Sequence, residues 1–162
     1  SNDAEQELML RRGVYIAHSP ESNMNLASGV APVNQFIDRG LHVGLATDVA
    51  GGSHESMLRA MMHAIQASKL RWRLLDQSVK PLSFERAFYL ATMGGGQFFG
   101  KVGSFLLTGT DLSIGRLDAV VLDDAGLEHP QPLSARARLE RMVYLADERN
   151  VAAKFVSGRK IL

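Results

Sequence analysis

Two short apolar runs stand out along the chain, VYIAH at 14–18 and HVGLATD at 42–48. Each is nearly continuous in apolar residues rather than alternating, the pattern of a strand buried on both faces. Between them lies a polar turn region, SPESNMNLASG, rich in Ser, Pro and Asn. It is followed by APVNQFIDRG at 31–40, an amphipathic helix that stops at Gly40. Two apolar strands joined through a helical crossover predict parallel neighbours in one sheet.

The flanking segments read as helices. DAEQELMLRR at 3–12 places acids in its first turn and arginines in its last, with Gly13 as a stop. From Ser53 to Lys69, Met57, Ala60, Met61, Ala64, Ile65 and Ser68 recur at helical spacing, with Ser53 as the cap. LSFERAFYLATMGGGQFF at 82–99 is a further helix capped by Ser83, expected to fray at Gly94–Gly96. After about residue 100 the character changes. DAVVLDD at 118–124 and AKFVSGRKIL at 153–162 read as β segments around a charged helix in SARARLERMVYLADERN. The expected organisation is therefore α/β with a boundary near residue 100.

Composition narrows the function. Of 162 residues, 46% are hydrophobic and the net charge is +1, so no strong field favours nucleic acid or an anionic membrane. No run approaches the roughly 20 apolar residues of a membrane helix. Cysteine is absent, which removes disulfides, thiolate nucleophiles and thiolate metal sites and fits a reducing, cytoplasmic setting. It also excludes the zinc deaminases that use a Pro-Cys-x-x-Cys signature.

Ligands of parallel α/β sheets collect at the carboxyl ends of the strands, where His18 and Asp48 stand. Asp48 has two readings. An acid there caps a helix or starts a turn; alternatively it serves as a metal ligand or general base. Gly51 and Gly52 would then keep side chains away from it. His18 is either a ligand or a histidine satisfied by its neighbours. His54, His63 and His129 lack paired metal-binding spacing, and His42 at a strand start reads as structural. Gly95–Lys101 fits G-x-x-x-x-G-K, but Val102 replaces the required hydroxyl and a helix precedes it, so a phosphate loop is rejected. Ser22 with His18 and Asp48 has no nucleophile-elbow motif.

HSPESNMNLASGVAPV followed by GLHVGLATDVAGGSHESML resembles the carboxyl-terminal part of guanine deaminases of the amidohydrolase superfamily. The likeness continues through FYLATMGGGQFFG, VGSF, LDAVVLDD and YLADERNVAAKFVSGRKI. It implies the C-terminal portion of a (β/α)8 barrel in 1–100, with the last two strands, and a tail in 101–162 contributing to a small β-sandwich. It further implies zinc-dependent hydrolysis of guanine to xanthine and ammonia, with Asp48 as zinc ligand and proton carrier. His18, Ser22, Asn23, Gly51 and Gly52 would line the pocket or support the ligand. A homo-oligomer, commonly a dimer, is implied as well. Another amidohydrolase acting on an aminopurine, a pterin or a triazine is the nearest alternative, and a non-catalytic assembly module is the alternative of another class.

The resemblance also implies ligands that this sequence lacks, since no His-x-His occurs. A complete barrel needs roughly 250 residues. The chain is therefore expected to be a fragment, without tight zinc or deaminase activity on its own.

Overall fold

A computed structural model describes residues 2–100 and 118–162. The chain divides into two compact units, Ser1–Gly100 and Lys101–Leu162.

The first unit opens with helix α1 (Asp3–Arg11), whose start is fixed by a capping box between Asn2 and Glu5. Strand β1 (Tyr15–His18) follows, then α2 (Pro20–Asn25), α3 (Val33–Asp38) and strand β2 (His42–Leu45). The two strands pair in parallel, with Tyr15 opposite His42 and His18 opposite Leu45. The segment expected to be a turn contains helix α2. Pro20 at its first position explains why: the missing N–H would have had no helical partner there, and the ring presets the helical φ.

Helix α4 spans Met57–Leu74 and is capped by Ser56, not by Ser53 as the sequence suggests. Ser53 is engaged elsewhere, as described below. The apolar stripe of α4 buries Ala60, Met61, Ala64, Ile65 and Ala67. The core is completed by Val33, Phe36, Val43, Leu45, Leu82, Ala87 and Leu90. Helix α5 (Phe84–Tyr89) starts at Ser83, whose hydroxyl accepts from the Arg86 amide. It continues through a π-helical turn, Leu90–Gly94, into α6 (Gly95–Phe98). The glycines do not fray this helix. A Cβ on Gly94 would lie 2.3 Å from the Val43 carbonyl oxygen, so the bare backbone lets the helix press onto β2.

Strand β1 is less buried than its composition suggests, with Tyr15 and Ala17 exposed. Strand β2 buries Val43 and Leu45. Among the described residues the first unit offers only this strand pair, so β1 has β2 as its one neighbouring strand there.

In the second unit, β3 (Ala119–Leu122), β4 (Val151–Val156) and β5 (Arg159–Lys160) form an antiparallel sheet in that order. Helix α7 (Ala135–Leu145) is capped by Ser134 and ends before the charged run is finished; Asp147 instead caps a short 3-10 turn, Glu148–Asn150. Buried here are Met142, Val143, Ala146 and Ala153. Lys101, Val102 and the VGSF stretch fall outside the described residues. No helix among the described residues is long and apolar enough to cross a membrane.

Candidate functional site

The carboxyl end of the strand pair carries the chemistry. Strand β2 stops at Leu45, so Asp48 stands three residues beyond it, on the loop that leads to α4. The loop is tied to β1 at its start, where the Ala46 amide donates to the His18 carbonyl oxygen at 2.9 Å. Asp48 adopts φ +50°, in the left-handed region that acidic side chains tolerate better than most. Its own carbonyl oxygen accepts the Gly52 amide at 2.6 Å, closing a tight turn.

Helix α2 faces this turn and holds it. The Ser22 hydroxyl donates to Asp48 Oδ2 at 2.6 Å, a short bond of the charge-assisted kind. Asn25 Nδ2 donates to the Gly51 carbonyl oxygen at 3.0 Å. The Ser53 hydroxyl donates to Glu21 Oε1. Asp48 itself is exposed while Ser22 is buried, so a solvent-facing carboxylate is oriented from beneath.

Gly51 and Gly52 leave no room for side chains. A Cβ at Gly51 would lie 2.7 Å from Ser22 Oγ and 2.9 Å from Asp48 Oδ2. At Gly52 it would lie 2.1 Å from the Thr47 carbonyl oxygen. These distances give both glycines a physical reason in the turn.

His18, the last residue of β1, is 5% exposed, and burial pushes its imidazole pKa down to about 4. It is therefore neutral at physiological pH. Asn23 lies on α2, and its carbonyl oxygen accepts from the Ser28 amide and hydroxyl. The amide side chain that reaches the loop is that of Asn25, which the sequence did not single out.

The remaining histidines have ordinary partners. Arg59 reaches His54 Nε2 at 2.6 Å. His42 stacks on Tyr15 with ring centres 4.6 Å apart. His129 exchanges contacts with Gln131 in a turn. His63 lies 3.8 Å from Glu21 Oε2.

Sequence reasoning passed over Glu21 and Asn25 and read Ser53 only as a helix cap. Their spacing signal was hidden because 20–25 read as a turn. Once the segment is helical, positions 21, 22 and 25 share a side.

No three His, Asp or Glu side chains gather into a metal-binding group among the described residues. A catalytic zinc takes about three protein ligands, so these residues do not by themselves fit one. Asp48 fits as a single donor.

Comparison with known proteins places this arrangement. The chain is 34% identical to a probable guanine deaminase from Schizosaccharomyces pombe, over 98% of this chain and 31% of that protein. It superposes on a guanine deaminase from C. acetobutylicum crystallised with guanine in the active site, with a TM-score of 0.89 and 39% identity, covering 100% of this chain and 37% of that one. It also resembles an adenosine deaminase from Xanthomonas campestris with bound zinc, with a TM-score of 0.76 and 25% identity, covering 100% of this chain and 35% of that one. The chain thus spans about a third of the length of these relatives. The Amidohydrolase family matches residues 2–161. With its parallel strand pair and this turn at their carboxyl end, the chain belongs to the amidohydrolase family.

Proposed function

We propose that this chain is the carboxyl-terminal part of a zinc-dependent guanine deaminase, which hydrolyses guanine with water to xanthine and ammonia. In that reading, residues 1–100 supply the last strand–helix units of a (β/α)8 barrel. Residues 101–162 supply the tail of a small β-sandwich. Two observations support the division: β1 and β2 are parallel, whereas β3, β4 and β5 are antiparallel.

The observation that carries the proposal is the oriented carboxylate of Asp48. It stands just past the carboxyl end of a parallel strand, where barrel enzymes place their chemistry. Its Oδ2 is held by Ser22 at 2.6 Å. Zinc, when bound with Asp48 as one of its ligands, would activate water for attack at neutral pH. The chain's own contribution is narrower. Asp48 offers one donor oxygen to the metal and accepts a proton at its carboxylate, returning it toward the purine. Ser22 fixes the rotation of that carboxylate. The buried, neutral His18 would support the site from the end of β1, and the two glycines keep side chains away from Asp48. Neighbouring strands would supply the other ligands.

Guanine is favoured over other aminopurines because the chain is 39% identical to a guanine deaminase with guanine bound in its active site. The assembly is proposed to be a cytoplasmic homodimer. The test is xanthine formation from guanine by the full-length enzyme and by the 162-residue chain alone, each with its zinc content. The full-length enzyme is expected to turn over with about one zinc per chain. The isolated chain is expected to hold substoichiometric zinc and to form no xanthine. Stoichiometric zinc in the isolated chain would overturn the single-ligand reading.

A further inference from the structure

We infer that Glu21 is a positioning residue for the Asp48 turn, acting as a clamp between α2, the turn and α4. This rests on the reading of Asp48 above.

The turn from Ala46 to Ser56 is long, and its functional residue sits near its start. Something must fix its far side. Helix α2 does so at three places. Ser22 holds Asp48 Oδ2 at 2.6 Å, Asn25 holds the Gly51 carbonyl at 3.0 Å, and Glu21 holds the Ser53 hydroxyl. Asp48, Gly51 and Ser53 thus each have one side-chain partner on a single short helix. A loop pinned at three points loses its independent motions, and pinning on both sides of Gly51–Gly52 leaves little slack for Asp48 to turn away.

Glu21 differs from the other two in its second oxygen. Oε2 lies 3.8 Å from His63 Nδ1 on α4. That nitrogen is buried and, among the described residues, has no hydrogen-bond partner. Oε2 also lies 3.4 Å from the position of a Cβ on Gly52. One carboxylate therefore meets Ser53 of the turn and His63 of α4, and so links α2 to both. Its side chain is 15% exposed and that of His63 is 18% exposed, so water competes weakly at the contact between these two. A carboxylate of this burial with oriented partners belongs to a support rather than to a solvated helix face.

The test uses Glu21→Ala, Glu21→Gln and Ser53→Ala in the full-length enzyme. Glutamine keeps a carbonyl oxygen for Ser53 and offers an N–H to His63, so it should rescue. Glu21→Ala is expected to lower kcat about ten-fold with KM little changed. Ser53→Ala should lower kcat by a similar factor, and Glu21→Gln should stay within about two-fold of wild type. The double variant Glu21→Ala/Ser53→Ala should be no worse than Glu21→Ala, since both act through one contact. Amide hydrogen exchange over residues 47–54 supplies a readout free of substrate: faster exchange is expected in Glu21→Ala and not in Glu21→Gln. Unchanged exchange with unchanged kcat in Glu21→Ala would overturn the clamp, as would a loss of thermal stability with kcat per folded molecule intact. If the wild-type enzyme left guanine untouched, the guanine reading would fail while the exchange experiment still decided the clamp.

Discussion

Ser22 donates its hydroxyl hydrogen to Asp48 Oδ2 across 2.6 Å, joining residues 26 apart in sequence. The bond joins a buried helix residue to an exposed acid. It sets the rotation of the one carboxylate on which the proposed chemistry depends. Removing the donor in Ser22→Ala leaves the carboxylate free to rotate. Hydrogen bonds to charged groups contribute about 1.5–3 kcal/mol, so kcat/KM for guanine in the full-length enzyme is expected to fall roughly 10- to 100-fold. Steady-state xanthine production measures it.

The paired glycines separate activity from stability. At Gly51 an added Cβ meets Ser22 Oγ and Asp48 Oδ2, side-chain atoms that make room only by giving up their hydrogen bond, with the Asp48 carbonyl oxygen at 3.3 Å. Gly51→Ala is expected to lower turnover about ten-fold or more while the unfolding midpoint moves less than in Gly52→Ala. At Gly52 the Cβ meets the Thr47 carbonyl oxygen at 2.1 Å, which is backbone and cannot swing aside. Gly52→Ala is expected to cost about 1–3 kcal/mol of stability, read as a lower thermal midpoint.

His18 makes stability depend on pH. Its imidazole ionises near 6.5 in an unfolded chain, but burial lowers it to about 4 in the fold. Between those values the unfolded chain takes up a proton that the folded chain does not. Stability is therefore full above about pH 6.5 and declines as pH falls toward 4, by about 3 kcal/mol at most. Denaturant midpoints of wild type and His18→Gln across that range test it. The variant should show a shallower acid slope.

Exposed strand edges invite partners. Tyr15 on β1 and the neighbouring Val14 are open to solvent, as are Phe98 and Phe99 at the end of α6. The 162-residue chain is expected to associate in sedimentation experiments. A clean monomer over a wide concentration range would contradict this.

How much of this was legible beforehand follows from particular residues. The helix start at Ser83 was readable because a hydroxyl before an apolar stripe caps the first free amides. The parallel pairing of β1 and β2 followed from two apolar runs with a helix between them. Asp48 could be picked out by its place after a strand. The start of α4 could not be placed, because Ser53 and Ser56 are equally good caps by composition. Only the tertiary contact of Ser53 with Glu21 decides between them. Likewise, helix α2 was masked by Ser, Pro and Asn, residues that serve turns and helix starts alike. With that helix unrecognised, the grouping of Glu21, Ser22 and Asn25 stayed invisible. The exposed face of β1 ran against its apolar composition, because periodicity reports what a strand can bury rather than which neighbours are at hand.

Asp48 bears the central claim, and its replacement tests it most directly. The comparison is xanthine formation from guanine by the full-length wild-type enzyme and by Asp48→Ala, with folding of both checked by thermal unfolding. Asp48 is exposed, but alanine is disfavoured at its φ of +50° and leaves the Ser22 hydroxyl without its acceptor, so the variant should stay folded with an unfolding midpoint lower by several degrees. The wild type is expected to form xanthine, and Asp48→Ala to be slower by about 1,000-fold or more, as for loss of a group that acts on the reacting atoms. A wild-type enzyme that leaves guanine unchanged, or a folded Asp48→Ala variant that keeps its rate, would contradict it.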